Sequence, residues 1–124
     1  MAHRSRLGCL VIDCEAGSVH EAAAFWAAAL GGAADIDDEG QYAEITDQGE
    51  LKVLVQAVTH APRVHLDIES DDKDAEVARL EALGAKVVAR IKRWIVMEAP
   101  TGHRFCVVNP QSEVFQTRAK SWKA

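Results

Sequence analysis

Apolar positions along the 124-residue chain change period several times, and the changes mark its elements. LGCLVIDC, residues 7–14, is an apolar run rich in strand formers. SVHE at 18–21 reads as a capping box, in which Ser18 accepts from the amide of Glu21 and the Glu21 carboxylate reaches back. Val19, Ala22, Ala23, Trp26 and Leu30 follow at helical spacing, and the glycines at 31 and 32 end the helix. QYAEIT at 41–46 alternates like a half-exposed strand, DQG at 47–49 turns, and LKVLVQAV at 51–58 predicts another strand. THAP at 59–62 is a connector.

The order then restarts. RVHLDIE at 63–69 predicts a strand, with His65, Asp67 and Glu69 on one side and Val64, Leu66 and Ile68 on the other. An ionisable second face is either wet or lines a cavity that handles a polar ligand or a metal. DDKDAEVARLEALG at 71–84 is a helix with an acidic first turn, which suits the dipole, and a glycine stop. AKVVARI at 85–91, RWIVMEAP at 93–100 and HRFCVVNP at 103–110 predict strands, the last two joined by a PTG turn. Residues 111–124 have no clear period, but Val114, Phe115 and Trp122 predict partial packing of this tail.

AALGGA at 28–33 aligns with EALGAK at 81–86 at an offset of 53 residues. A one-residue slide then pairs VIDC at 11–14 with HLDI at 65–68, so Asp13 matches Asp67 and Val11 matches His65. The doubling predicts an α+β fold: two βαβββ modules, about 7–58 and 63–110, followed by the tail 111–124, in one domain over 1–124. Each module offers a curved, mixed or antiparallel sheet with its helix outside. Two such cupped sheets enclose a cleft between their concave faces.

Composition, 48% hydrophobic and 27% charged, is that of an ordinary globular protein, and the length allows a real core. The net charge of −5 argues against a general nucleic-acid binder. Arg90, Lys92 and Arg93, with Arg118, Lys120 and Lys123 in the tail, are basic stretches too small to overturn that balance. Cys9, Cys14 and Cys106 have no CxxC spacing and read as reduced thiols. No apolar stretch approaches membrane-spanning length and no signal-peptide core is present, which predicts a cytoplasmic protein without membrane contact. P-loop, GxGxxG, GxSxG and HExxH motifs are absent.

VIDCEAGSVHEAAAFWAAALGG and HLDIESDDKDAEVARLEALGAKV, with WIVMEAPTGHRFCVVNP, together resemble the glyoxalase/bleomycin-resistance/dioxygenase superfamily, also called vicinal oxygen chelate. The likeness covers roughly residues 7–110 and is nearest to small glyoxalase-like members. It implies paired βαβββ modules. In metal-dependent relatives it also implies a divalent ion held by His and Glu from the first and last strands of both modules, binding vicinal oxygens of the substrate. Carried over by position, His65 matches a ligand, Val11 cannot be one, Cys106 stands where the family has Glu, and the fourth place falls near Val55 and Gln56. The resemblance therefore implies an incomplete metal site and no confident cofactor; a divalent metal is possible but not expected. Ala99 and His103 also depart from the common DPxGN turn.

His65 with Asp67 is the candidate acid–base pair. Asp13, Glu44, Trp94 and Cys106 are candidate ligand contacts, and Asp13 and Asp67 can instead pair with Arg63, Arg104 or Tyr42. Trp26 is assigned to the core. His3, His20 and His60 are expected in solvent. The expected function is small-molecule binding or catalysis in a cupped-sheet cavity. A metal-dependent lyase, isomerase or dioxygenase of the same superfamily, and a non-enzymatic drug or metabolite sequestration protein, stand as alternatives. A homodimer is expected, because small modules leave sheet edges to cover.

Overall fold

The structure is a computed structural model that describes residues 2–123. It divides into two compact units: Cys9–His65, and the residues up to Gly8 together with Leu66 onward. Strand β1 (His3–Glu15) begins in the second unit and ends in the first, and β5 (Arg63–Ser70) crosses back.

In the first unit, β1 leads into helix α1 (Val19–Leu30) and strands β2 (Ala34–Ile36), β3 (Tyr42–Ile45) and β4 (Lys52–Val58). The strand order is β2-β3-β4-β1, with β4 parallel to β1 and the other pairs antiparallel. A parallel return needs a crossover, and α1 with the β2–β3 hairpin supplies it. The Ser18 hydroxyl accepts from the Glu21 amide, and Gly31, at φ 79°, ends the helix by donating to the Ala27 carbonyl. The left-handed conformation there is why glycine stands at this position. Ile12, Val19, Ala23, Ala43, Ile45 and Val55 form the core between α1 and one face of the strands, and Trp26 packs against it.

The second unit repeats the plan. After β5 come α2 (Lys73–Ala82), β6 (Lys86–Arg90), β7 (Trp94–Glu98) and β8 (Arg104–Val108), then α3 (Phe115–Arg118) and β9 (Lys120–Trp122). The order is β5-β8-β7-β6, again with one parallel pair, β5 with β8, and an antiparallel meander. The Asp72 carboxylate caps α2 by accepting from the Ala75 amide. Val77 and Leu80 of α2 pack on Ile95, Met97, Phe105 and Val107. The registers match the doubling read in the sequence: Asp13 lies opposite Gln56, and Asp67 lies opposite Cys106.

Several expectations need correction. Strand β1 starts at His3, four residues before the predicted run, and His3 is buried rather than solvated. Its inward side chains are polar, His3 and Ser5, so a hydrophobic period could not reveal them. Strand β2, with an aspartate among only three residues, was not predicted. Of the apolar set on β5, Ile68 packs against the second unit's core, whereas Val64 and Leu66 are exposed. Trp94, a candidate ligand contact, is also exposed. The tail is ordered as α3 and β9, with Phe115 buried.

A polar core explains the strand start. In the second unit Glu76, fully buried on α2, accepts from His3 Nε2 at 2.7 Å and from Arg79 at 2.8 and 2.9 Å. The Arg79 guanidinium lies 3.9 Å from the centre of the Trp122 ring, whose Nε1 donates to Ser5 Oγ at 2.8 Å. Glu69 is likewise buried. It accepts from Arg6, from the Gln111 and Ser112 amides and from the Ser112 hydroxyl. For both carboxyls burial is the largest influence and pushes the pKa up. The hydrogen bonds together outweigh it, Ser112 first for Glu69 and Arg79 first for Glu76, and hold both below the ordinary value.

Candidate functional site

The face of the first unit's strands turned away from α1 carries the ionisable groups. Pairing fixes who shares it, because residues directly opposite in neighbouring strands point the same way. Tyr42 lies opposite Gln56, and Gln56 lies opposite Asp13, so the three form one polar row across β3, β4 and β1. Gln56 Nε2 donates to the Tyr42 hydroxyl at 3.3 Å. Glu44, Leu54 and Val11 form the next row, where Glu44 reaches Lys52 at 4.0 Å.

Asp13 is the centre of this face. Its side chain is 4% exposed, and its Oδ2 accepts from His65 Nδ1 at 3.0 Å. Arg63 Nε lies 3.7 Å from the same oxygen. Asp13 Oδ1 is buried with no hydrogen-bond partner among the described residues. A buried acceptor left without a donor costs about 1–3 kcal/mol, a cost that offsets part of what the Oδ2 bond to His65 contributes. The Asp13 bond places the proton of a neutral His65 on Nδ1. Such a carboxylate–imidazole pair can accept a proton at Nε2, with the aspartate stabilising the imidazolium that forms. Nearby, the Cys14 thiol is raised by burial, with a smaller opposing bond to Trp26 and a further upward push from Asp13, so it is no ready nucleophile.

The second unit places its candidates on the corresponding face. Asp67 is buried beside Cys106, Cys106 lies opposite Val96, and Trp94 lies opposite Val108. Glu98 has its carboxyl held low by Arg104 first and by Lys86. The structure thus joins Asp13 to His65 within the first unit, sets Asp67 beside Cys106 in the second, and engages Glu44 separately with Lys52. The predicted partnership of Asp13 with Arg63 is present, and the Tyr42 hydroxyl accepts from Gln56. His65 as the hydrogen-bond partner of Asp13 was missed. The two are 52 residues apart, and only the doubling, which makes Val11 the counterpart of His65, hinted that both strands carry site positions.

The metal of the family's metal-dependent members can be tested against these donors. Val11 is buried and has no lone pair to offer. Val55 is turned into the α1 core, and Gln56 spends its amide on Tyr42. In the second unit a thiol, Cys106, stands in place of a carboxylate. At the family's four positions, one imidazole, one amide and one thiol do not reproduce its set of His and Glu ligands.

No curated protein is matched by the sequence. Among solved structures, the fold is similar to an NAD-dependent benzaldehyde dehydrogenase structure from Legionella pneumophila at TM-score 0.60 and 11% identity, covering 82% of this chain and 99% of that one. A hypothetical protein from Bacillus halodurans C-125 gives TM-score 0.58 and 14% identity over 88% and 98% of the two chains. The 2,2',3-trihydroxybiphenyl 1,2-dioxygenase of the dibenzofuran-degrading Sphingomonas wittichii strain RW1 gives 0.59 and 16%, with 88% of this chain spanning 42% of the dioxygenase. These likenesses speak to fold alone. The family model for the glyoxalase-like domain matches residues 9–108, the span that holds both βαβββ repeats, and the chain accordingly belongs to that family.

Proposed function

We propose that the chain binds a small, ring-bearing, hydroxylated molecule on the first unit's sheet face, over the row Tyr42, Gln56 and Asp13, with His65 as proton acceptor. The observation that carries this reading is the Asp13–His65 pair: a buried carboxylate oriented on an imidazole, away from the α1 core. Leu54 and Val11 in the next row give the ligand's ring an apolar bed. Tyr42 and Gln56 supply the fixed polar groups that a mostly apolar site uses for orientation. A phenol hydroxyl donating to His65 Nε2 loses proton density to the imidazole, and Asp13 stabilises the charge that results. The same pair serves sequestration or turnover; the donor chemistry favours a reading without the family metal. Hydroxylated aromatics, the class named for the Sphingomonas wittichii neighbour, are the first probes to try.

Titrating isotope-labelled protein with catechol, and with benzene as a control, tests the reading by NMR. Catechol is expected to shift the signals of Asp13, Tyr42, Gln56 and His65 in a saturable way that Asp13→Asn weakens about tenfold or more. Shifts scattered over the surface, or equal in Asp13→Asn, would overturn it.

A further inference from the structure

Ionic charge is divided very unequally between the two units. Residues 9–65 hold ten carboxylates against two cations, a net of −8, whereas the remainder holds twelve cations against nine carboxylates, a net of +3. The acidic unit sets both of its cations on the face turned away from α1. Lys52 alternates onto that face with Leu54 and Gln56, and Arg63 alternates onto it with His65. Glu44 matches Lys52 there, at 4.0 Å. Arg63 stands instead beside Asp13, which ends the row Tyr42, Gln56 and Asp13.

The Arg63 guanidinium is oriented but not consumed. Its Nε lies 3.7 Å from Asp13 Oδ2, too far for a hydrogen bond, and the bond to that oxygen comes from His65 Nδ1 at 3.0 Å. The His60 ring donates from Nδ1 to the Ala61 carbonyl at 2.7 Å, so its Nε2 is the acceptor for Arg63 Nη2 at 3.4 Å. No further hydrogen-bond partner of Arg63 is found among the described residues, and its side chain is 52% exposed. A guanidinium carries five N–H donors in a planar fork, so most of these are unspent.

A ligand seated over the row beside Asp13 takes water away from this fork. If the ligand offers no acceptor there, the donors are left unsatisfied, which counts against it. A carboxylate matches the fork with two parallel hydrogen bonds. A second negative charge is unfavourable, because Asp13, Glu15 and Glu44 share the face. A carboxylate monoanion therefore fits better than a phosphate dianion. Arg63 and His65 are two residues apart on one strand face, about 7 Å, which a ring bearing its two groups at meta positions spans.

We infer that Arg63 is a specificity-determining residue and that the ligand is a hydroxylated aromatic acid, its carboxylate on the Arg63 fork and its hydroxyl at His65. The inference rests on the ligand reading above and names the acid group which that reading leaves open.

Calorimetry of the full chain with 3-hydroxybenzoate, phenol and benzoate tests it, with NMR locating each ligand. 3-Hydroxybenzoate is expected to bind about tenfold or more tightly than phenol, by an advantage that shrinks as salt is added. Arg63→Gln is expected to remove most of that advantage, whereas Lys52→Gln, whose partner is Glu44, keeps it. Equal affinities in the wild-type chain would overturn the inference, as would an advantage that survives Arg63→Gln or is lost in Lys52→Gln. The ligand reading then stands if phenol still shifts Asp13 and His65. Binding of 3-hydroxybenzoate that shifts only Arg63 and His60, and is indifferent to Asp13→Asn, would overturn the ligand reading and leave an anion subsite. Equal competition by inorganic phosphate would overturn the assignment of a carboxylate. Failure of all three compounds to bind would overturn both.

Discussion

At the scale of single residues, the molecule's carboxylates are its most informative groups. Asp13, Glu69 and Glu76 are all buried, yet they are treated differently. Glu69 and Glu76 are surrounded by donors, whereas Asp13 keeps one oxygen without any. Asp13→Ala is expected to destabilise by about 1–3 kcal/mol, since it strands the His65 Nδ1–H, and urea unfolding reads this directly. Gly8→Ala tests the other kind. A Cβ built there meets Glu69 Cγ at 2.8 Å, and Glu69 cannot yield without leaving Arg6 and Ser112. The expected loss is about 1–3 kcal/mol by thermal or urea unfolding. The sequence displayed Asp13 and Asp67 because doubling placed them in equivalent positions. It hid Glu69 and Glu76: an acidic residue facing a half-buried arginine reads, along one chain, like an acidic residue facing water.

At the scale of elements, the two helices and most strands were legible, because a period of two or of 3.6 was carried by apolar side chains with caps at the ends. Helix α2 depends on Asp72, and Asp72→Ala is expected to cost about 1 kcal/mol in unfolding experiments. Elements without an apolar period were not legible. The first residues of β1 bury His3 and Ser5, β2 is three residues long, and β9 is recognised by what it reaches. Trp122 of β9 covers Arg79 and donates to Ser5, so Trp122→Ala removes a cation–π contact and a hydrogen bond together. A loss of about 1–3 kcal/mol is expected, with the near-ultraviolet circular dichroism reporting the missing indole.

At the scale of the whole molecule, stability should depend on pH through the two buried glutamates. Each has a folded-state pKa below its ordinary value of 4.5, so each contributes stability that is complete above that value. The contribution is lost as pH falls from about 4.5 through the lowered folded values. Thermal scans are expected to be flat in this respect between neutrality and pH 5 and to fall steeply below pH 4.5. Glu69→Gln should flatten that fall as well as lower the plateau. The βαβββ doubling was legible at this scale from spacing, and the family from the resemblance of its motifs. The division of charge between the units required knowing which residues each unit holds.

Strand β1 serves one unit with its first residues and the other with its last. On a ribosome, therefore, the amino-terminal segment emerges long before the helix and closing strand that will use it, and Arg6 and His3 must wait for Glu69 and Glu76. The second unit is thus not continuous in sequence. Cutting the gene between the two repeats would strand two acidic side chains in the later piece, and a short synthetic peptide of residues 1–8 should be what that piece needs to fold.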